Sequence, residues 1–135
     1  KMYGFDARLY LFGLSLSGEY VHVDEDQGSI NKQTGLGGYP ISSAFHARGY
    51  WAQAAYGYNV DLGPLQTTTA YARYEQRHAW FEGFRPLTVE RLTLGARLDL
   101  WQSLIFKGEI LFNLEKEGAP RVNNDVLAFS AVYSW

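Results

Sequence analysis

The chain of 135 residues contains no cysteine. This absence excludes a disulfide framework, a zinc–thiolate site and a thiol nucleophile. The net charge is only -2, so no strong positive field indicates a nucleic-acid partner. No apolar run approaches the roughly 18 residues that a transmembrane helix needs. Phosphate-binding glycine loops, dinucleotide fingerprints and runs of metal ligands are also missing, so no metal or other cofactor is expected.

Proline is scarce, and its four occurrences all fall in breaks: Pro40, Pro64, Pro86 and Pro120. Because proline is excluded from the interior of paired strands, its placement marks where strands end. The segments between the breaks are rich in aromatic and β-branched residues that alternate with a period of two, which is typical of strands. Seven strands are predicted, over residues 4–12, 14–24, 46–59, 65–77, 87–101, 103–115 and 124–135. Most reach the roughly 9–11 residues with which a tilted strand crosses a bilayer.

The predicted connections alternate between short and long. The short ones fall at 12–13, 59–64 and 101–102. The longer ones fall at 25–45, 78–86 and 116–123. This alternation is typical of a transmembrane, antiparallel, up-and-down β-barrel, with short turns on one side of the membrane and longer loops on the other.

Each predicted strand has one apolar and one polar face, and two arrangements fit that pattern. A soluble barrel would enclose the apolar faces, whereas a transmembrane barrel would turn them to lipid. Aromatic residues concentrate toward both ends of the apolar faces, which favours lipid contact through two girdles. One predicted girdle contains Tyr20, Tyr50, Tyr74 and Phe112, and the other contains Tyr56, Tyr58, Phe106, Tyr133 and Trp135.

The polar faces are then predicted to line a pore. The candidate pore-lining residues are Arg8, Glu19, Arg73, Glu75, Arg77, Arg91, Arg97, Asp99, Lys107 and Glu109. Positive and negative side chains are balanced on these faces, so two interpretations remain. Cross-strand ion pairs would stabilise the wall. Alternatively Arg73, Arg91, Arg97 and Lys107 would form a stretch of a solute path.

The last predicted strand carries apolar residues at every second position and ends on Trp135. It resembles the C-terminal signal of bacterial outer-membrane proteins, which implies recognition by the barrel assembly machinery and a periplasmic end. Lys1 would then lie outside the cell. Single-chain bacterial barrels have an even strand number. Residues 1–135 are therefore expected to be the C-terminal segment of a single, larger barrel domain whose remaining strands lie elsewhere.

Two tracts narrow the resemblance: Gly13-Leu-Ser-Leu-Ser-Gly-Glu-Tyr20 and Gly49-Tyr-Trp-Ala-Gln-Ala-Ala-Tyr56. They look like consecutive strand tracts of the phosphate-selective porin O/P family. The resemblance implies a water-filled channel of 16 strands, often trimeric, in a Gram-negative outer membrane. Its partners would be the lipid bilayer and lipopolysaccharide. The basic ladder that gives that family its phosphate selectivity falls largely outside this chain.

The expected function is a passive porin for small hydrophilic solutes, anions among them, and not an enzyme. The first alternative is a structural or plugged barrel that acts as a sleeve for another protein. The second is an outer-membrane enzyme that uses the predicted rim residues His22, His46 and His78, with Asp24 or Glu82 orienting a base. No nucleophile at a diagnostic spacing supports catalysis. The acidic residues 24–31 are expected to be solvated, and the glycine-rich residues 35–40 to lie in solvent or in the pore.

Overall fold

The computed structural model describes residues 1–25, 44–81, 85–101, 103–116 and 122–133. Seven antiparallel strands form one open sheet in sequence order, each paired with its neighbours along the chain. This confirms the predicted all-β, up-and-down architecture of seven strands. The strands are β1 (Met2–Leu11), β2 (Leu14–Glu25), β3 (Phe45–Leu62), β4 (Leu65–Phe81), β5 (Leu87–Leu100), β6 (Leu104–Glu115) and β7 (Val126–Tyr133).

The two central strands, β3 and β4, are longer than the sequence predicted. The predicted connection 59–64 is shorter, because β3 continues to Leu62 after a register irregularity that begins at Asn59. The predicted connection 78–86 also begins too early, since His78 pairs with Arg48 and β4 continues to Phe81. Polar residues near the end of a strand interrupt the apolar pattern without interrupting the backbone ladder. The predicted loop 25–45 and the residues 35–40 lie almost wholly outside the described residues.

The hairpin between β1 and β2 turns on two residues, as predicted. Phe12 has φ 46 and Gly13 has φ 82. Positive φ at both central positions is the signature of the type I′ turn, whose twist matches that of the flanking strands. The amide of Gly57 donates a hydrogen bond of 2.9 Å to the carbonyl of Gly13, which attaches the turn to β3.

The strand ends are staggered across the sheet. Leu14, at the start of β2, lies in the same cross-strand row as Ala70 of β4. Tyr133 of β7 lies in the row of Leu65, five residues away along β4. Averaged over the five steps from β2 to β7, the stagger is therefore about one residue per strand. With a rise of about 3.3 Å per residue and about 4.8 Å between strands, it corresponds to a strand tilt of about 35°. Closed barrels require tilts in this range.

In the described part of the chain, no hydrophobic residue is buried. The buried residues there are polar: Glu75, Thr88, Glu90 and Thr93. A sheet normally buries its apolar face against a second layer, and the described residues form only one layer. The edge strands β1 and β7 each have a single neighbour in this sheet.

The described residues contain no helix that is long and apolar enough to cross a membrane.

Candidate functional site

Cross-strand register divides the described side chains between two faces, because residues that pair directly point to the same side of a sheet. The ten candidate pore-lining residues all lie on one side, which we call the polar face. The predicted girdle residues up to Tyr133 all lie on the opposite side, the apolar face. Trp135 lies outside the described residues. The roles of these residues in lining a pore or contacting lipid stay predictions.

On the polar face, the carboxylate of Glu75 contacts three guanidinium groups. Glu75 lies 2.9 Å from Arg73, 3.5 Å from Arg91 and 3.6 Å from Arg77, measured between carboxylate oxygens and guanidinium nitrogens. Its side chain is 11% exposed. Arg91 also donates from Nε to the amide oxygen of Asn113 at 2.8 Å. The cluster joins β4, β5 and β6, and its positive charge exceeds its negative charge.

A second cluster crosses the same three strands, closer to the turn that joins β5 and β6. The Tyr71 hydroxyl of β4 donates to Glu109 of β6 at 2.7 Å. Lys107 lies 2.9 Å from the same carboxylate. The Tyr71 ring reaches β6 across Gly95 of β5, where a Cβ atom would lie only 2.2 Å from the ring. Glycine at this position is therefore a steric requirement of the bridge.

The remaining polar-face pairs are more exposed. The Trp51 indole N–H donates to Glu19 at 3.0 Å, and the Arg73 guanidinium lies 4.7 Å from the Trp51 ring centroid. Arg97 lies 2.7 Å from Asp99. Opposite charges therefore meet across and along strands, as the structural interpretation of the balanced wall predicts. Arg8, on the edge strand β1, is exposed.

We call the end of the sheet with the longer connections the upper end. The apolar face carries pairs of aromatic side chains at this end and aliphatic side chains in the middle. At the upper end Phe5 stacks on Tyr20 with ring centroids 5.6 Å apart, and Tyr50 contacts Tyr74 at 6.0 Å. Leu94 and Ile110 lie exposed below them. At the lower end the exposed aromatic residues of this face include Tyr56, Tyr58, Phe106 and Tyr133, and the exposed Phe129 lies in the row of Tyr56.

At the upper end the two faces exchange character. At and above the row of Tyr20 and Tyr50, the apolar face gives way to an upper polar belt. It consists of His22, Asp24, His46, Arg48, Gln76, His78, Thr88, Glu90 and Lys116. The polar face gives way to an upper apolar patch of Val21, Val23, Ala47, Ala79, Leu87 and Val89. The sequence interpretation missed this exchange because it gave each strand one polarity from end to end.

Within the belt, Asp24 is held between two histidines. Its carboxylate oxygens lie 2.7 Å from His22 Nε2 and 2.5 Å from His46 Nδ1. Hydrogen bonds from His46 and then His22 hold the pKa of Asp24 below its ordinary value. The predicted pair of His22 and Asp24 therefore forms, with His46 as an unforeseen third member. Among the described residues no group of three or more His, Asp or Glu is placed to hold a metal ion.

His78 contacts a residue that the sequence interpretation did not single out. Its Nδ1 lies 2.9 Å from the Thr88 hydroxyl, whereas Glu82 lies outside the described residues. Glu90 is only 6% exposed. It accepts a hydrogen bond of 2.8 Å from the Gln76 amide and lies 2.8 Å from Lys116 Nζ. The belt thus places charges on the side of the sheet that is otherwise apolar, and those of Asp24, Glu90 and Lys116 have partners.

No protein-family model, curated protein or solved structure matches this chain. The resemblance to the porin O/P family therefore rests on its two sequence tracts alone.

Proposed function

We propose that this chain forms part of the wall of an outer-membrane β-barrel that works as a passive channel for small hydrophilic solutes. The observation that carries the proposal is the two-faced single layer without a buried hydrophobic residue in its described part. A soluble sheet buries its apolar face against a second layer, whereas a transmembrane barrel presents that face to lipid and the polar one to water.

The dimensions of the apolar face support a membrane span. On β3 the two aromatic levels are represented by Tyr50 and Tyr58, which both point to this face. Their separation of eight residues, at about 3.3 Å per residue and a tilt of about 35°, gives a height of about 22 Å. Transmembrane barrels carry an apolar band about 25 Å tall between aromatic girdles.

The upper polar belt supports an assignment of the membrane boundary. Polar side chains on the lipid side of a barrel are tolerated near the interface, where the cost of a charge falls close to zero. Arg48 and Lys116 place cations there. Cations at this height suit the phosphate groups of lipopolysaccharide, which we propose as the lipid partner at this rim.

The two free edges imply further strands. Inside a bilayer each unsatisfied backbone donor or acceptor costs several kcal/mol. Within the part of the chain that the structure describes, strands β1 and β7 each pair on one side only. The proposal therefore includes other strands that pair with both edges and close the barrel, as the family resemblance implies for a larger parent.

Transport through such a wall needs no covalent chemistry. Charged groups of both signs on the polar face keep water in the pore and filter solutes by size and charge. Their pairing, as in the cluster around Glu75, fixes the side chains in place. The selectivity of the channel for solute charge would then follow from the few charged side chains on the polar face that are incompletely neutralised.

The absence of cysteine makes spin labelling the direct test of face assignment. Single Leu94→Cys and Leu111→Cys variants would each carry one nitroxide, in the complete protein with any cysteine outside residues 1–135 replaced and with the protein reconstituted into lipid vesicles. We expect oxygen, which concentrates in lipid, to relax the label at 94. We expect a water-soluble nickel chelate to relax the label at 111. The reverse pattern, or equal relaxation at both positions, would contradict the proposal.

Planar-bilayer recordings in potassium chloride test the channel itself. Discrete conductance steps are expected from the complete protein. Lipid-facing labels without conductance would instead support the sleeve alternative, and a protein that does not enter vesicles at all would support the soluble barrel.

A further inference from the structure

Across β2 to β5, the upper apolar patch occupies two cross-strand rows on the side of the sheet that is polar elsewhere. One row runs Val23, Ala47, Ala79 and Leu87 across β2 to β5. The next runs Val21, Gly49, Arg77 and Val89. Seven of the eight side chains are apolar or absent, and the exception is Arg77.

These rows line a hollow of about 420 Å³, which Arg48 and His78 also border, although the register places their side chains on the opposite face. Ligand sites commonly measure about 300–1,000 Å³ and combine apolar walls with a few polar groups that fix orientation. A surface that only passes small hydrophilic solutes has no need for continuous apolar rows. Apolar walls around one cation favour a ligand that has both an apolar body and a negative charge.

Arg77 is suited to hold that negative charge. Its side chain is 77% exposed, and its nearest acidic partner among the described residues, Glu75, lies 3.6 Å away. The Glu75 carboxylate is already shared with Arg73 and Arg91, so the charge of Arg77 is incompletely neutralised. A free guanidinium fork binds a carboxylate through two parallel hydrogen bonds.

The surroundings of Arg77 also set an orientation. Glu115 pairs with Val89 on the β6 side, and its negative charge disfavours an anion there. The valines of β2 and the alanine of β3 lie on the other side of Arg77. A ligand carboxylate on Arg77 therefore places the apolar body of the ligand over β2 and β3.

We propose that the upper apolar patch and Arg77 bind an amphipathic carboxylate, an aromatic or short aliphatic acid with a compact apolar body, at the mouth of the pore. The site rests on the proposed channel and names a solute class for it. Binding at the mouth precedes passage, so such an acid at high concentration occupies the path of other ions.

The test is current block in planar bilayers, with the complete protein in potassium chloride and phenylacetate as the probe. Phenylacetate is expected to reduce the potassium chloride current in a saturable manner. Acetate has the same charge without the apolar body, and benzyl alcohol has the ring without the charge. Both are expected to block at concentrations at least about tenfold higher, since each lacks one of the two interactions.

Matched variants locate the site. Arg77→Gln is expected to raise the half-blocking concentration of phenylacetate about tenfold, as loss of a charge-assisted hydrogen bond implies. Val21→Gln, on β2 in the row of Arg77, should raise it by a similar factor by removing apolar contact. Arg97→Gln also removes one polar-face arginine, but at the row of Thr69, about 26 Å from Arg77 along β4. It should leave the half-blocking concentration within about twofold of the original. If Arg77→Gln does not assemble, Arg77→Lys, which keeps the charge, replaces it in the same measurement of the half-blocking concentration.

The outcomes separate this site from the channel. A protein that conducts, but is blocked equally by acetate and phenylacetate, would overturn the site and leave the channel standing. Equal shifts from Arg77→Gln and Arg97→Gln would also overturn it. If no conductance is found, calorimetric titration of phenylacetate into the detergent-solubilised protein decides the site alone, because binding and its loss in Arg77→Gln are measured without transport.

Discussion

Replacing Leu94 with arginine measures what the apolar face contacts. Leu94 lies on that face, 43% exposed in the sheet, six residues above Leu100 at the lower end of β5. Six residues at about 3.3 Å each and a tilt of about 35° place it about 16 Å above the turn. In a band about 25 Å tall that position is close to the bilayer midplane, where arginine costs about 2–4 kcal/mol.

Leu111 provides the matched control. It pairs with Thr93 on the polar face, and is also a leucine near the middle of its strand. Arginine there would stay in contact with water on the polar face, so we expect a cost of about 0.5 kcal/mol, as for surface substitutions generally. The difference between the two variants isolates the environment of each face.

Urea unfolding in lipid vesicles measures both costs. The four tryptophans of the chain report unfolding by fluorescence, and linear extrapolation gives the free energy in the absence of urea. Equal losses of unfolding free energy for Leu94→Arg and Leu111→Arg would refute the assignment of the apolar face to lipid.

Three further predictions concern other parts of the sheet. Gly95→Ala should cost about 1–3 kcal/mol of unfolding free energy in the same assay, because its Cβ displaces the Tyr71 ring. Gly57→Ala, whose nearest contact is an ordinary 3.5 Å, is the control and should cost clearly less. For Asp24, whose pKa is lowered by its histidine hydrogen bonds, the stabilisation is complete above the ordinary carboxyl pKa and is lost as the pH falls through the lowered value. Amide exchange at the upper ends of β2 and β3 should accordingly rise at acid pH, and Asp24→Asn should abolish that transition; a transition that survives the substitution would contradict this. Finally, amides of β1 and β7 that point away from their one neighbour should be protected from exchange in the assembled protein, and rapid exchange at either edge would argue against further strands.

The strands themselves were predictable because the pleat imposes a period of two on any half-exposed strand. The alternation around Leu94 and Arg97 specified both the strand and the face of each side chain. The partners of those side chains were not predictable, since they depend on register between strands. Glu75 and Arg91 are adjacent only because β4 and β5 pair in one particular alignment.

The upper end shows a different limit of sequence interpretation. His22, Arg48 and Glu90 have the same parity as the leucines and alanines below them. Averaged along whole strands, they look like exceptions to an apolar face. Only the cross-strand rows show that they lie together at one height, opposite a set of valines and alanines. Comparing neighbouring strands residue by residue would have shown that these polar side chains lie at one height. That comparison requires the pairing register between the strands, which the sequence does not provide.

The contact between Tyr71 and Gly95 has a consequence for how the strands align during folding. A slip of one residue would turn every side chain to the wrong face, so the alternating pattern itself opposes it. A slip of two residues keeps every face correct, and the pattern offers no resistance to it. Such a slip of β5 past β4 would bring Thr93 or Arg97 beneath the Tyr71 ring in place of Gly95, and neither side chain leaves room for it. A single missing side chain thus rejects the even-numbered misalignments that hydrophobic patterning accepts, and sets the height at which β5 and the strands after it continue.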